Sequence, residues 1–449
     1  MIELLPNEVM LKIFSYLDTK DLVLSVQHVN YRWQELSRDR TLWKDRVFEP
    51  RMRDKDNVRA LKNMPCLRAC VSTRGNNAKP IINSLCKYCD DIEYLSLDGY
   101  DRLEYPLLVK LTNFFPNIQK LTIPFLKEDN PLQFSQLIGS LQNLTHLGFS
   151  DRYVRVQDDV LKPIADGCPS LQHMNLGENM FKGEDVMYFL MKKLTQLLSF
   201  RAKCDMTLAI YFCILQCKKL EHLDCTGSGC SSDMTSNDIK LLRNLKNLKT
   251  LMLWHLSETQ FRAIPSLLEA GSLSNITKLG IVQHDLSCVV RNCPQLLELS
   301  VNGTKDVLEE GFKYIGNCKN LRYLSFSFCS NVTAKCLDYV AAGCPNLRHL
   351  DLSWTFHLDD SLFLSVLKCK NVRVLDISHS GLKGNWRSSK CYLIPLRLVH
   401  LNELIVFGCV VDGKVLDTLL LAMPHLKLPG YVVSDDDYDD GDGVDDDDD

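Results

Sequence analysis

The stretch LRYLSF at residues 321–326 decides the fold of this chain, because it returns as LRHLDL at residues 347–352 and, more loosely, eleven further times. The copies begin at residues 92, 118, 144, 171, 197, 220, 248, 276, 296, 321, 347, 372 and 401, with a mean spacing of about 26 residues. Alternate side chains of a strand face opposite sides, so positions 4 and 6 of each copy point into a core and positions 3 and 5 point out. Positions 3, 5, 7 and 8 are the positions expected on the concave, exposed face. One unit cannot bury its own apolar face, so the repeat predicts stacked strands.

The segments between the strands have helical patterns, which residues 331–347 (NVTAKCLDYVAAGCPNL) show best. Thr333 is placed to cap a helix, and Leu337 and Val340 lie on one face of it. Gly343 and Pro345 predict its end. Alternating strands and helices of this length predict the α/β class.

The repeat also gives many of the 19 cysteines a structural place. Seven lie three residues before a strand start: Cys89, Cys168, Cys217, Cys293, Cys318, Cys344 and Cys369. Other copies place Phe or Leu there, which indicates an apolar packing position. Cys329 and Cys409 each follow repeat position 6 by three residues. This pattern resembles the cysteine-containing subclass of leucine-rich repeats, over roughly residues 86–428.

The N-terminal 48 residues contain 23 apolar residues, which is many for a segment of that size. Pro6 fits the first turn of a helix, and residues 9, 10, 13, 14 and 17 form an apolar stripe along it. Further short helical patterns follow around Leu22, Trp33 and Trp43. An apolar face left uncovered by so small a bundle indicates an interaction surface.

Residues 5–47 (LPNEVMLKIFSYLDTKDLVLSVQHVNYRWQELSRDRTLWKDRV) resemble an F-box along its whole length. The resemblance implies binding of a Skp adaptor, which connects F-box proteins to a cullin scaffold and a ubiquitin-conjugating enzyme. The candidate adaptor-binding residues that it implies are Leu5, Pro6, Val9, Ile13, Phe14 and Leu17. Some of these must instead hold the bundle together, and the sequence does not separate the two roles.

An F-box followed by cysteine-type repeats resembles the F-box/leucine-rich-repeat substrate receptors of ubiquitin ligases. The resemblance implies a non-catalytic subunit that recruits target proteins for ubiquitination and proteasomal degradation. The alternative is an interaction scaffold that assembles complexes without ubiquitin transfer. The domain boundaries expected are an F-box at 1–48, a helical basic neck at 49–85, a solenoid (horseshoe) of about 13 repeats at 86–428 and an acidic disordered tail at 429–449.

Candidate substrate-binding residues occupy the exposed repeat positions, on the expected concave face. They are Trp254, His255, Tyr323, Phe328, His349, Asp351, Trp354, Asp376 and His379. Exposed aromatic residues beside carboxylates suit a binding hot spot and hint at a basic ligand. The alternative is ordinary solvated strand residues. The long step between the last two copies, which contains Trp386, is a second candidate.

No catalytic motif and no cofactor-binding fingerprint is present in the sequence. Cys66, Cys70, Cys86 and Cys89 have a spacing that leaves a zinc site open, although packing positions explain them better. Histidines at position 3, such as His146 and His173, are expected to stack across neighbouring strands as solvated side chains. No metal and no cofactor is therefore expected.

The charges divide unevenly along the chain. Residues 434–449 carry 11 Asp and no base, which indicates a solvated tail, whereas residues 31–87 carry 14 Lys and Arg against 6 Asp and Glu. Acidic residues interrupt the basic stretch, and no nucleic-acid motif accompanies it, so no nucleic-acid partner is expected. Glu3 and Glu8 do not fit a signal peptide, and no apolar run is long enough for a membrane span. The expected location is the cytoplasm, the nucleus or both.

Overall fold

The computed structural model describes about three quarters of the chain. The described residues are 4–50, 54–64, 66–72, 77–100, 103–124, 131–150, 155–156, 161–177, 180–181, 193–202, 208–225, 234–253, 260, 262–269, 271, 273–281, 286–303, 309–355, 358–380, 390–409 and 413–429. The chain forms two compact units, unit 1 (Met1–Ile276) and unit 2 (Thr277–Asp449).

Unit 1 begins with a bundle of short helices and continues as strand–helix repeats. Its helices are α1 (Asn7–Ser15), α2 (Thr19–Leu24), α3 (Tyr31–Ser37), α4 (Arg40–Trp43), α5 (Asp54–Leu61), α6 (Lys79–Tyr88), α7 (Tyr105–Phe114), α8 (Pro131–Gly139), α9 (Lys162–Gly167), α10 (Leu208–Ile214), α11 (Ser236–Lys240) and α12 (Ile264–Glu269). Its strands are β1 (Val47–Phe48), β2 (Ala69–Val71), β3 (Tyr94–Ser96), β4 (Lys120–Ile123), β5 (His146–Phe149), β6 (Arg155–Val156), β7 (His173–Asn175), β8 (Met180–Phe181), β9 (Ser199–Arg201), β10 (His222–Cys225) and β11 (Thr250–Leu253).

Unit 2 consists of the same kind of repeat. Its strands are β12 (Lys278–Ile281), β13 (Glu298–Ser300), β14 (Tyr323–Ser325), β15 (His349–Asp351), β16 (Val374–Asp376) and β17 (Glu403–Ile405). Its helices are α13 (Ser287–Asn292), α14 (Glu309–Ile315), α15 (Ala334–Gly343), α16 (Asp360–Val366), α17 (Ile394–Arg397) and α18 (Gly413–Ala422). The order β12-β13-β14-β15-β16-β17 follows the sequence, and neighbouring strands run parallel.

The thirteen strands predicted from the repeat are all present, and each begins at repeat position 3. Neighbouring copies pair at equivalent positions, as in His222 with Thr250 and His349 with Val374. The apolar residue at position 4 is buried in every copy, because it faces the helices. Helix α15 is capped by the Thr333 side chain, which accepts a hydrogen bond from the Cys336 amide. The predicted α/β class is confirmed.

The neck differs from its prediction, because it contributes strands as well as helices. In unit 1 the parallel sheet has the order β1-β2-β3-β4-β5-β7-β9-β10-β11, so it begins before residue 86, and β6 pairs separately with β8. β2 pairs with the first predicted strand through Cys70 and Leu95. Two helices, α5 and α6, flank β2 in the chain. The acidic residues of the expected tail, from 430 onward, lie outside the described residues.

Cysteines pack between neighbouring repeats. The seven that precede strand starts are all buried, as the packing interpretation predicts. Four of these thiols, those of Cys89, Cys168, Cys217 and Cys344, donate hydrogen bonds to carbonyls of the preceding repeat, as from Cys168 to Ile138 and from Cys344 to Ile315. Burial raises the pKa of the Cys168 and Cys344 thiols to about 12. A thiol held in this way stays protonated and serves as a small packing group.

Across the described residues, none of the helices has both the length and the apolar character that crossing a membrane requires.

Candidate protein-interaction sites

In the N-terminal bundle, the α-helices α2, α3 and α4 each begin with a polar cap. Asp18, Asn30 and Asp39 accept hydrogen bonds from backbone amides at the starts of α2, α3 and α4. Trp43 fills the centre of the bundle, and its indole nitrogen donates to the Ser37 carbonyl. The indole is therefore satisfied inside an apolar core.

Helix α1 is held at both ends by arginines from elsewhere in the bundle. Near its start, Arg32 donates to the Leu5 carbonyl and to the Asn7 side chain. At the C-terminal end of α1, Arg46 donates to the carbonyls of Leu17, Ser15 and Phe14. Its positive charge there interacts favourably with the negative end of the helix dipole. Burial lowers the pKa of Arg46. The first helix is thus fixed before any partner binds.

The residues predicted to face an adaptor divide into two groups. Pro6 and Val9 are exposed, Val9 to 42%, and Leu5, Ile13 and Leu17 are partly exposed. Phe14 belongs to the core instead, because it is only 1% exposed and its ring packs edge-on against Trp33 with centroids 5.3 Å apart. A helical stripe cannot show which of its residues face the bundle. The sequence also missed several apolar residues that lie exposed in the bundle, namely Leu4, Tyr16, Val29 and Tyr31.

The candidate substrate residues of unit 2 come together on the exposed face of its sheet. Tyr323 and His349 are register partners, and their ring centroids are 4.5 Å apart. Asp351 and Asp376 are register partners one strand further along. Trp254 and His255 lie outside the described residues, as does most of the long step that contains Trp386. The structure therefore supports one continuous cluster in unit 2.

Four rings form a row at the carboxyl ends of these strands, which we call the aromatic ladder. It consists of Phe328, Trp354, His379 and Phe407. The Phe328 and Trp354 rings stack with centroids 5.1 Å apart at 11°, and the Trp354 and His379 rings stack at 4.2 Å and 21°. Phe407 meets His379 edge-on at 5.1 Å. Phe328, Trp354 and Phe407 are 51%, 36% and 56% exposed, so solvent reaches the row.

The first three ladder residues have a backbone conformation that suits glycine. The φ angles of Phe328, Trp354 and His379 are 60°, 58° and 52°, and each residue occupies position 8 of its repeat. Gly303 and Gly408 occupy the same position in the flanking repeats, with φ of 70° and 67°. The left-handed region is unfavourable for bulky side chains, so the ladder residues are strained.

Carboxylates lie beside the ladder on the same sheet face. Asp351 Oδ2 accepts a hydrogen bond from the Ser325 hydroxyl at 2.7 Å, and its Oδ1 accepts from the Ser353 amide. Asp376 accepts from the Ser378 amide. Burial lowers the pKa of His349, although Asp351, Asp376, Glu403 and Glu298 all act in the opposite direction. His349 therefore favours its neutral form within an acidic surface.

Sequence reasoning missed two members of this site. Phe407 occupies repeat position 7, so the exposed-position rule would have found it in the last copy. Gly303 has no side chain for such a rule to select, and only the left-handed conformation that it shares with Phe328 places it in the row.

The other residues singled out in the sequence do not form a comparable site. His146 and His173 stack as predicted, with centroids 3.9 Å apart. In the cysteine set, Cys66 accepts a hydrogen bond from Arg40, and Cys89 donates to the Met64 carbonyl. Within the described ranges, no three His, Cys, Asp or Glu side chains are grouped as metal ligands would be. The zinc hypothesis therefore gains no support from geometry.

Comparison with known proteins agrees with both halves of the architecture. A family model for F-box-like domains matches residues 2–49. F-box protein FBX14 of Arabidopsis thaliana is 29% identical over 156 residues, covering 32% of this chain and 24% of that protein. F-box protein SKIP1 of Arabidopsis thaliana is 26% identical over 163 residues, covering 31% of this chain and 52% of that protein. The chain thus matches about a quarter and about half of the lengths of these relatives.

Among solved structures, a chain from the crystal structure of the Rad7 and Elc1 complex in yeast has the same fold. The TM-score is 0.50 at 17% identity, with 95% of this chain and 93% of that chain covered. The chain therefore combines an F-box-like domain at its N-terminus with the parallel-strand repeats of a leucine-rich-repeat fold.

Proposed function

We propose that this protein is the substrate-recognition subunit of a Skp–cullin–F-box ubiquitin ligase. One observation carries the proposal: helix α1 is fixed at both ends by arginines and presents apolar side chains to solvent, within a domain that matches the F-box family. An apolar surface built on a fixed element suits docking, because little conformational freedom is lost on binding. The two F-box relatives support the same role.

In this proposal the chain contributes no catalytic group. The F-box binds the Skp-type adaptor, and through it the cullin, while the repeats bind a target protein. Ubiquitin transfer is then faster because the target lysines are held near the loaded ubiquitin-conjugating enzyme. The ubiquitinated target is degraded by the proteasome. The protein acts in the cytoplasm or the nucleus, and imaging a tagged chain at native expression would test that location.

Adaptor capture tests the proposal directly. We expect the intact chain to co-precipitate a Skp-type adaptor from its own cells, and Val9→Asp to reduce capture at least about tenfold by placing a charge in an apolar contact. Leu132→Asp is the matched control, because Leu132 is also 42% exposed and also lies in the first turn of a helix. Failure of the wild-type chain to capture the adaptor would contradict the proposed function.

Target turnover separates this function from a scaffold role. Removing the protein should lengthen the half-life of proteins captured by its repeats, and re-expressing the Val9→Asp variant should not restore their degradation. Unchanged half-lives after removal, with adaptor binding intact, would instead favour a scaffold that assembles complexes without degradation.

A further inference from the structure

The aromatic ladder ends differently at its two sides. Five successive repeats place a left-handed residue at position 8, in the order Gly303, Phe328, Trp354, His379 and Gly408. The backbone bonds are equivalent along the row: the amide of each of the first four residues donates to the position-7 carbonyl of the next repeat, at 2.8 to 3.1 Å. Gly303 and Gly408 therefore occupy ladder positions without contributing rings.

The position at Gly408 is already filled, whereas the position at Gly303 is open. A Cβ atom placed on Gly408 would lie 2.2 Å from Cε1 and Nδ1 of His379, because that ring covers the glycine. A Cβ atom placed on Gly303 meets no atom of the described residues within 4 Å. Among the described residues, the ring contact of Phe328 is with Trp354, on the side away from Gly303. Within the part of the chain that the structure describes, the outer face of Phe328 thus borders an unfilled position at Gly303, which we call the slot.

The charged residues around the ladder indicate which kind of ligand group the slot would bind. Positions 3, 5, 7 and 8 of the repeats that contain β13 to β17 include Glu298, Asp351, Asp376 and Glu403 but no Lys or Arg. Glu298 and Glu403 lie at position 3, and Glu298 pairs with Lys278 at 2.8 Å, so Asp351 and Asp376 at position 5 are the carboxylates of this set nearest the ladder. Exposed arginines do occur at position 2, at residues 322, 348 and 373. Position 2 is six residues from position 8 and precedes the strand that position 8 follows, a span of at most roughly 20 Å, so these arginines lie at the opposite end of the strands from the slot.

A planar cation satisfies both the stacking geometry and the charge. Guanidinium stacks on aromatic faces and is more weakly hydrated than ammonium, so it loses less on entering a half-apolar position. The nearby network also points to a donor-rich ligand, since the Ser325 hydroxyl lies 2.8 Å from Asn302 Oδ1 and 2.7 Å from Asp351 Oδ2. We infer that the slot beside Phe328 binds an arginine side chain of a basic peptide segment, as the next rung of the aromatic ladder.

This inference rests on the proposed function only for the identity of the peptide, which would be a segment of the target protein. The backbone strain at position 8 supports the inference independently of the proposed function. Three successive bulky residues occupy a conformation that favours glycine, and strained residues of this kind cluster at ligand-binding sites. A binding assay with purified full-length chain needs neither the adaptor nor the ligase, so its failure is distinguishable from failure of the adaptor capture.

The probe is a short glycine–serine peptide with three spaced arginines, compared with matched peptides that carry lysine or citrulline. Isothermal titration should show the arginine peptide binding about tenfold more tightly than the lysine peptide, and citrulline should abolish binding because it lacks the charge. Equal binding of arginine and lysine peptides would overturn the inference, because binding would then reflect charge alone. Tighter binding of single-stranded RNA than of the arginine peptide would also overturn it.

Two glycines provide a matched pair of variants. Gly303→Asn fills the slot with a residue that tolerates left-handed backbone, and should weaken arginine-peptide binding about tenfold. Gly271→Asn is the control, because Gly271 has φ of 66° and a Cβ atom placed on it also meets nothing within 4 Å. Both variants keep the acidic C-terminal sequence, so its attraction for the probe cancels. Equal affinity of the two variants would overturn the slot.

Phe328→Gly separates binding from folding. Glycine adopts the Phe328 backbone conformation without strain, so the thermal unfolding midpoint should stay the same or rise while arginine-peptide binding is lost. Arg348→Ala, at the opposite end of a neighbouring strand, should leave the affinity unchanged. Retained binding in Phe328→Gly would contradict stacking on that ring.

Discussion

Two rows of stacked rings in this protein form for different reasons. In unit 1, His146 and His173 stack at repeat position 3, inside regular parallel strands. The strand spacing of about 4.8 Å brings such side chains together without any change in the backbone. In unit 2, Phe328, Trp354 and His379 stack at position 8, where each adopts a left-handed φ. The histidine pair follows from the geometry of the sheet, whereas the Phe328–Trp354–His379 row forms although the backbone of each of its residues is strained.

The difference shows which stacking is informative about function. A position-3 pair needs no explanation beyond the sheet, and its members are ordinary strand residues. A bulky residue in the left-handed region costs about 1 to 3 kcal/mol, so three in succession require an offsetting gain. Ring stacking supplies part of it, at about 0.5 to 1.5 kcal/mol for each pair. Stacking offsets only part of the backbone strain, and binding of a ligand to the rings would account for why the rest is retained.

The largest expected effect tests whether the two rows have equivalent cores beneath them. Leu147 lies in the same repeat as His146, and Leu350 lies in the same repeat as Trp354, and both leucines are buried at repeat position 4. Replacing either by Ala should lower the free energy of unfolding by about 2 to 5 kcal/mol, because a cavity remains. Chemical denaturation would measure both. A much smaller loss at Leu350 would show that unit 2 is loosely packed, and the ladder could not then be assigned to a fixed frame.

The next effect, of about 1 kcal/mol, separates the two rows. His173→Gly should destabilise the protein, because glycine weakens a strand and removes a stacked ring. Trp354→Gly should be close to neutral in stability, because relief of left-handed strain offsets the lost stacking. The free energies of unfolding of both variants provide the measurement. Equal destabilisation by both substitutions would remove the distinction between the rows.

A smaller effect appears only below neutral pH and belongs to the histidine row. Burial, with contributions from His173 and Lys120, lowers the pKa of His146 from 6.5 to about 4. The unfolded chain therefore binds more protons than the folded chain between these values, so stability is full above pH 6.5 and falls as the pH approaches 4. His146→Gln should reduce this acid sensitivity. Unfolding midpoints at about pH 7 and about pH 5 would check it, and an unchanged pH difference would contradict the sign.

The smallest effect concerns the exposed ion pair at the edge of the ladder face. Lys278 and Glu298 are 2.8 Å apart, and both side chains are more than two-fifths exposed. Glu298→Gln should change the free energy of unfolding by less than about 1 kcal/mol, because water and salt screen such pairs. A loss well above that value, measured at about 0.15 M salt, would show that the pair is structural.

The repeat made most of the fold predictable, and its weak copies mark where prediction failed. Thirteen strands followed from apolar residues at positions 1, 4 and 6. The strand β2 was missed because its copy begins at Leu67 and places Cys70 and Ser72 at the core positions. Both side chains are buried, so the geometry persists although the apolar signal is weak.

The sequence predicted which residues of the candidate sites are exposed better than it predicted their backbone conformation and packing. Listing positions 3, 5, 7 and 8 found Phe328, Trp354 and His379, although strand alternation accounts only for positions 3, 5 and 7 and would turn position 8 inward. Their left-handed backbone could not be anticipated, because bulky residues disfavour it. Phe14 was assigned to the adaptor surface, and its burial against Trp33 depends on how the helices cross, which a helical stripe does not encode.

The buried thiols between the repeats can also report on the unfolding of the chain. Of the described cysteines, only Cys66 and Cys409 are partly exposed, and the rest are buried. A thiol such as Cys344, bonded to the carbonyl of the preceding repeat, reacts with an alkylating reagent only after those two repeats separate. Timed alkylation followed by mass spectrometry would therefore give the order in which the repeats come apart, without introducing a single label.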